Sequence, residues 1–444
     1  MIPWVDFNPK EVYCGNISAC GIKLVLSLAA SYKLLMRGGA YLVTRANKDY
    51  PVYIKTPQGL EMDVPAGYCI QAVGNLYGFP PAGQNVKEMG YLNTPWDLKL
   101  FYKWIKGKPL FVIAHSDDFR WFGSEDVLHE WDALVKNFNT HKYTVTDCTD
   151  KEFVGIIITH DVDFNYYMNQ TRMITEIIKE AKLTGAKNER PPYPIGNDPI
   201  SKADSATEEQ KFECSKYPYH RVVGQLMYGM VHTIIGIMYA LNVLSRYGNN
   251  PGPRHIEFLK HLLKYCKYSK MFHTHDGSTD IDTMTKILQL QFQCDADLGG
   301  NLDNEHSQTS YIGYLGKSVI CWCSTDQGSV STSTAESEIK AVNHTLKSKV
   351  ISNRGILNAI GWNQGPTIIE EDNQACVYAS EAKHMTRNLR HQDLAQLWFK
   401  EKVADGTCII EKVDSKENNS DIGTIRVPKH TFDYLTHNLV DRSL

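Results

Sequence analysis

The sequence has no apolar run long enough to cross a bilayer. Its strongest candidate, residues 22–28, falls far short of the roughly 20 residues a spanning helix needs, so no membrane partner is expected. The opening Met-Ile-Pro-Trp-Val-Asp lacks the basic and apolar halves of a secretory signal. Secretion is therefore not expected, and a cytoplasmic or nuclear setting is. Eleven cysteines are present, but none stands at Cys-x-x-Cys spacing and the number is odd. Free buried thiols in a reducing compartment explain this better than zinc or disulfides. Charge of one sign is also lacking: 47 Lys and Arg against 50 Asp and Glu give −3. That excludes a generally basic coat for nucleic acid, but not a local basic stripe beside an acidic site. No internal repeat or low-complexity tract breaks the chain.

What is present suits globular cores: 444 residues, 42% hydrophobic and 11% aromatic, enough for two or three domains. Three blocks emerge. Residues 1–185 mix helices with short strands, including residues 52–55 and 110–114. Residues 186–285 open with a polar linker and continue as two helices, 219–247 and 254–268. The breaker Asn249-Asn250-Pro251-Gly252-Pro253 separates them. Residues 286–444 read as strands first and helices later. On the second helix Arg254, Lys260, Lys264, Lys267 and Lys270 recur at near-helical spacing, with Tyr265 and Tyr268 among them and Leu259, Leu262, Leu263 and Cys266 opposite. A nucleic-acid contact and a solvated amphipathic face explain this stripe equally well.

The strongest chemical signal is acidic and C-terminal. A strand over residues 288–296 ends in Cys294-Asp295-Ala296-Asp297, and a hairpin turning at Gly316-Lys317 follows. Ser333 and Glu336 stand at capping-box spacing, which predicts a helix starting there with Glu336 folded back on its own N-terminus. Glu338 instead falls on the apolar side with Ala335, Ile339 and Val342. A core-facing carboxylate is costly without a compensating cation, so Glu338 rather than Glu336 is the functional candidate. A third acid, Asp372, ends the strand 367–371, and a fourth, Asp421, follows the strand 408–413. Singly, Asp372 and Asp421 read better as helix caps, and Asp295 and Asp297 as strand ends. Taken in order, strand-Asp, hairpin, helix-Glu, strand-Asp, strand, Asp, they match the acid set of a ribonuclease H fold. That chemistry needs hard oxygen ligands around two divalent ions about 4 Å apart, magnesium or manganese.

Motifs along the whole chain carry a family resemblance. Asp295-Ala296-Asp297-Leu298-Gly299 resembles the "DADWAG" of copia-type retrotransposon pol polyproteins, Thr334-Ala335-Glu336-Ser337-Glu338 its "STEAEY", and Glu371-Asp372-Asn373-Gln374 its "EDNQ". Arg390-His391-Gln392-Asp393 resembles "KHID", Ser420-Asp421-Ile422 sits at "ADIFTK", and residues 219–228 resemble "YRSAVGSLMY". The resemblance implies ribonuclease H acids at Asp295, Glu338, Asp372 and Asp421, with Asp393 an alternative for the last. It also implies an RNA–DNA hybrid as partner, other pol products of the same element as further partners, and a virus-like particle as one cytoplasmic setting.

Upstream, His115-Ser116-Asp117-Asp118 between two apolar stretches resembles the "YVDD" hairpin of reverse transcriptases, which implies polymerase metal ligands at Asp117 and Asp118. The family's preceding "MDVxxAFL" is matched by residues 35–42, which puts Met36 at the aspartate position, and no acid lies between Lys23 and Asn47. Met36 is no magnesium ligand. The fingers segment that precedes this motif in the family has no counterpart here. The expected architecture is α/β (α+β): a truncated reverse-transcriptase palm at 1–185, thumb or connection helices at 186–285, and at 286–444 a five-stranded mixed sheet with flanking helices. Polymerase activity is expected to be lost and hydrolysis of RNA in RNA–DNA hybrids to be the surviving chemistry. A non-catalytic nucleic-acid-binding remnant and a decayed mobile-element product are the alternatives.

Overall fold

The structure, a computed structural model, describes residues 17–40, 53–54, 70–71, 86–87, 89–115, 118–138, 152–194, 198–267, 271–274, 288–381, 398–437 and 439. The chain forms two compact units, Met1–Val154 with Val162–Phe164 and Gly155–Asp161 with Asn165–Leu444. Residues 186–285 and 286–444 thus share a unit.

In the first unit, helix α1 (Ala19–Ser31) is buried on nearly every side. It starts where the Ser18 hydroxyl accepts from the Gly21 N–H at 2.9 Å and donates to Asp97 at 2.8 Å. Strand β1 (Leu35–Ala40) follows, then the short pair β2 (Tyr53–Ile54) and β3 (Ile70–Gln71). Strands β4 (Leu92–Asn93), β5 (Leu100–Ile105), β6 (Lys108–His115) and β7 (Asp118–Gly123) join β1 in an antiparallel sheet of order β1-β7-β6-β5-β4. Lys106 and Gly107 both take positive φ, 51° and 77°, the geometry of a tight two-residue hairpin between β5 and β6. Alternate residues Leu110, Val112 and Ala114 pack with Phe119, Trp121 and Trp131, the last on α2 (Leu128–Phe138). Strand β8 (Glu152–Phe153) is held by Arg120, which donates to the Glu152 carbonyl at 2.9 Å and lies over the Phe153 ring.

The second unit opens with β9 (Ile156–His160) and β10 (Tyr166–Asn169), which pair antiparallel with each other and, through β10, with β11 (Met271–Thr274). Helices α3 (Thr171–Glu180), α4 (Glu208–Ser215), α5 (Tyr219–His232), α6 (Met238–Ser245) and α7 (Pro253–Cys266) lie between β10 and β11 in the chain. The second sheet of this unit is built from β12 (Leu290–Ala296), β13 (Gln308–Leu315), β14 (Ser318–Asp326), β15 (Thr367–Glu371) and β16 (Cys408–Lys412). Its order is β14-β13-β12-β15-β16, antiparallel on the β13 side of β12 and parallel on the β15 side. Helices α8 (Thr334–Thr345), α9 (Ile351–Ile360), α10 (Gln374–Glu381), α11 (Trp398–Ala404) and α12 (Lys429–His437) complete it. The mixed α/β architecture and the five-stranded mixed sheet are as the sequence pattern predicts. Among the described residues no helix is long and apolar enough to cross a membrane.

The helix expected over 219–247 is two helices. It stops at Thr233, whose φ of −135° leaves the helical region, and resumes at Met238 after a tight turn over Ile235–Ile237. Gly236 makes this turn possible, because a Cβ there would run into the Tyr265 hydroxyl of α7 and stand 3.2 Å from Phe432 of α12. Gly236→Ala is therefore expected to destabilise the second unit by about 1–3 kcal/mol, the usual cost of overpacking. A urea titration followed by far-UV circular dichroism checks this; an unchanged midpoint would show that the turn has room to spare.

Candidate metal centre

Three elements meet at the C-terminal end of β12. Asp295 sits on β12, Asp372 directly follows its parallel neighbour β15, and Glu338 projects inward from the first turns of α8. Each offers one carboxylate oxygen, and the three oxygens lie within 4.8 Å of one another. Helical phase put Glu338 there. Ser333 caps α8 by accepting from the Glu336 N–H at 3.2 Å, and Glu336 turns back to accept from the Thr332 N–H at 2.9 Å and to pair with Lys340 at 2.9 Å. Burial alone would raise the Glu336 carboxyl, but the Thr332 and Lys340 bonds outweigh it and bring it down to about 2. Glu336 is a helix-start residue, as its spacing predicts, and Glu338 is the acid left facing the core.

Asp421 lies on the short turn Asn419–Gly423. This turn is stapled to β12: Asn418 donates to the Cys294 carbonyl at 3.1 Å, and the Thr424 hydroxyl donates to Asp295. Its largest electrostatic neighbours are Asp295, Asp372 and Glu371. Capping does not consume these aspartates. The Asn373 side chain accepts from the Ala375 N–H at 2.9 Å, and the Asn418 side chain accepts from the Ser420 N–H at 3.3 Å. Asparagines do the capping, and the carboxylates of Asp372 and Asp421 are left for other work.

Sequence reasoning did not single out Glu371. Its side chain is fully buried, accepting from the Asn373 N–H at 3.1 Å and from the Cys294 thiol at 3.3 Å. The signal was in the strand period, since Thr367, Ile369 and Glu371 alternate on the buried face of β15.

The electrostatics follow from crowding like charges out of water. Burial first, then Asp372 and Asp297, raise the Asp295 carboxyl to about 6 against the opposing Thr424 bond. Burial, with Asp295 and Asp372 adding to it, pushes Glu371 up to about 8. Burial and the same neighbours push Asp421 up to about 8. Glu338 is held well above the usual carboxylate range by burial, Glu371, Asp295 and Asp372. One oxygen of Glu338 and one of Asp421 are buried without a hydrogen-bond partner. The grouped carboxyl oxygens of Asp295, Glu338 and Asp372 form an all-oxygen donor set of the kind that suits a hard divalent cation, and Asp421 stands outside the group of three.

The remaining sequence-predicted residues fare differently. Asp117 and Lys270 lie outside the described residues, as does Asp393. Asp118 opens β7, opposite His115 of β6 and Ala40 of β1. Met36, buried at 4% exposure, pairs with Phe122, four residues and about 13 Å along the strand from the Ala40–Asp118 pair. The residue level with Asp118 is thus Ala40, not Met36. The difference leaves the chemistry unaltered, because β1 reads Leu-Met-Arg-Gly-Gly-Ala and carries no acid at any position. In the basic stripe, Arg254 pairs with Asp204 at 2.6 Å, Lys264 with Glu189 at 3.7 Å, and Lys267 donates to the carbonyls of Thr184 and Ala186 at 3.0 and 2.8 Å. Lys260 lies over the Tyr217 ring. These four side chains join α7 to Thr184, Ala186, Glu189, Asp204 and Tyr217.

No protein-family model matches the chain. Across 97% of its length it is 26% identical to the retrovirus-related Pol polyprotein from transposon TNT 1-94 of Nicotiana tabacum, covering 32% of that protein. Across 94% it is 24% identical to the Pol polyprotein from transposon RE2 of Arabidopsis thaliana, covering 28% of it. The chain is thus similar over nearly all of its length to retrotransposon Pol polyproteins, while spanning about a third of the length of these curated relatives. Among solved structures, the N-terminal RNase H domain of a Mycobacterium tuberculosis protein aligns with 34% of the chain and 96% of its own length. The two are 13% identical with a TM-score of 0.23, too loose a match to bear on the fold.

Proposed function

We propose that this chain is a metal-dependent ribonuclease H that cleaves the RNA strand of RNA–DNA hybrids, with Asp295, Glu338, Asp372 and Asp421 as its metal-holding acids. The observation that carries the reading is the convergence of Asp295, Glu338 and Asp372 to within 4.8 Å from three separate elements. Residues 286–444 would be the nuclease, 186–285 the thumb or connection helices, and 1–185 a reverse-transcriptase palm. Two divalent ions held by these acids would supply an activated water and charge stabilisation of the leaving oxygen. The protein's own part is positioning. The Thr424 hydroxyl fixes one oxygen of Asp295, and Asn418 holds the turn carrying Asp421 against β12. With the full chain and magnesium, a labelled hybrid should be cut. Asp295→Asn should slow cutting by more than about 100-fold, beyond the roughly 10–100-fold typical of losing an outer-shell partner. Equal rates for wild type and Asp295→Asn sink the proposal.

The same reading takes the polymerase to be inactive. Its chemistry requires a further carboxylate to bridge the metals, and β1, the strand paired with the one that Asp118 opens, offers none. Primer extension on a poly(rA) template is expected to give no magnesium-dependent product. Synthesis that disappears in Asp117→Asn would overturn this half.

A further inference from the structure

We propose that Glu371 is a positioning residue for the metal centre, a clamp that sets Asp372 against Asp295 without itself holding metal; this rests on the metal-centre reading above. Its place in the fold is the argument. Glu371 is the last residue of β15, immediately before Asp372, and its side chain is 0% exposed. One carboxylate oxygen accepts from the Asn373 N–H at 3.1 Å, so it closes the turn in which Asp372 is the middle residue. The other accepts from the thiol of Cys294 at 3.3 Å, and Cys294 immediately precedes Asp295 on β12. One side chain thus bonds to residues flanking two of the grouped acids, on two strands that share a parallel ladder through the pairs Gln291–Ile368, Phe292–Ile369 and Gln293–Glu370. The ladder ends at Gln293 and Glu370, short of both acids. Beyond it, the Glu371 clamp links the two strand ends. Asp295, Glu338 and Asp372 supply the oxygens within 4.8 Å of one another, and neither Glu371 nor Asp421 is in that trio. The two differ in that both Glu371 oxygens are engaged, by Asn373 and Cys294, whereas one Asp421 oxygen is buried without a hydrogen-bond partner.

A hydrophobic side chain of similar size would leave the Asn373 N–H without its acceptor, leave the Cys294 thiol only the Glu370 carbonyl at 3.9 Å, and free Asp372 to shift. The expected consequence is a metal affinity lowered about 10–100-fold, the range for losing a partner that orients a ligand. Manganese binding to the full-length protein, measured by calorimetry with no nucleic acid present, reads this directly. Glu371→Leu should weaken binding by that factor. Glu371→Gln keeps an acceptor for Asn373 and should recover most of it. Asp295→Asn should remove high-affinity binding altogether. Ile369→Ala, on the same buried face of the strand, should lower Tm and leave the affinity alone. Wild-type affinity in Glu371→Leu overturns the clamp. So does a Glu371→Gln variant as defective as Asp295→Asn, which would make Glu371 a ligand. If wild type and Asp295→Asn bind manganese alike, it is the metal centre itself that fails. Should Glu371→Leu not fold, Cys294→Ala removes the β12 half of the clamp and must weaken binding at least threefold, or the proposal falls.

Discussion

Stripped of divalent cations, the protein is expected to become less stable as pH rises from about 5 to about 8, and to recover when magnesium or manganese is added. The acids responsible titrate near 4 in an unfolded chain. Folded, Asp295 titrates at about 6 and Glu371 and Asp421 at about 8, with burial and mutual repulsion as the causes. The folded state therefore binds more protons than the unfolded one between these limits, and stability must fall with rising pH through that window. Each unit of difference is worth about 1.4 kcal/mol. Because the groups share their protons, the sum is on the order of several kcal/mol rather than a simple total. A cation that binds the folded state reverses the loss by mass action, about 2.7 kcal/mol at a hundredfold excess over Kd. Thermal unfolding in chelator at pH 5 and pH 8, then with added magnesium, provides the check. Glu338→Gln supplies the internal control: with one buried acid made neutral, the metal-free variant should be more stable than wild type at pH 8 and gain less from metal. A metal-free wild type that matches this variant at both pH values would show that the acids do not repel one another.

The grouping of Asp295, Glu338 and Asp372 was legible in the sequence, because its parts depend on local rules. Helical phase separates Glu338 from Glu336 over two residues, and the capping-box spacing fixes where α8 begins. The hairpin at Gly316-Lys317 needs no more than a glycine at positive φ, here 59°, between two strand-like runs. What escaped was decided by tertiary neighbours. Glu371 looks like one of two acids ending a strand until the Cys294 thiol of the next strand is seen against it. The basic face of α7 has the right period for a phosphate-binding stripe, but periodicity says which side faces outward and not what covers it. Asp204, Glu189 and the carbonyls of Thr184 and Ala186 engage three of its basic side chains, while Arg254, one of the three, keeps 46% of its side chain exposed. Motif spacing puts Met36 at the family's aspartate position and strand pairing sets Ala40 level with Asp118; the first is a count along the chain, the second a register, and neither position carries an acid.

Arg246→Ala is expected to destabilise the whole second unit by about 2–4 kcal/mol. Arg246 extends from the end of α6 and bonds to Asp326 and Gln308, both at 2.5 Å, on the two strands of the hairpin, and to Asn242 on its own helix at 3.2 Å. Its side chain is 16% exposed and that of Asp326 27%, so the figure is set below the roughly 3–5 kcal/mol of a fully buried pair. Removing the guanidinium leaves Asp326 with the Asn301 amide at 2.8 Å, and withdraws a positive neighbour from Asp297, two residues from Asp295. Similar ties run in parallel: Asn242 donates to the Ser324 carbonyl at 3.0 Å, the Trp322 indole to the Met230 carbonyl at 2.8 Å, and the Tyr193 hydroxyl to the Val427 carbonyl at 2.9 Å. Through these bonds the helices of residues 186–285 act as part of the scaffold of the sheet that carries the acids. The corollary is one cooperative unfolding transition for both segments, lowered as a whole by Arg246→Ala. A double-mutant cycle of Arg246→Ala with Asp326→Ala should give a coupling above about 1 kcal/mol, as for contacting charged partners. Two separate transitions, with Arg246→Ala moving neither, would mean that the helices and the sheet fold independently and that the arginine bonds contribute nothing measurable.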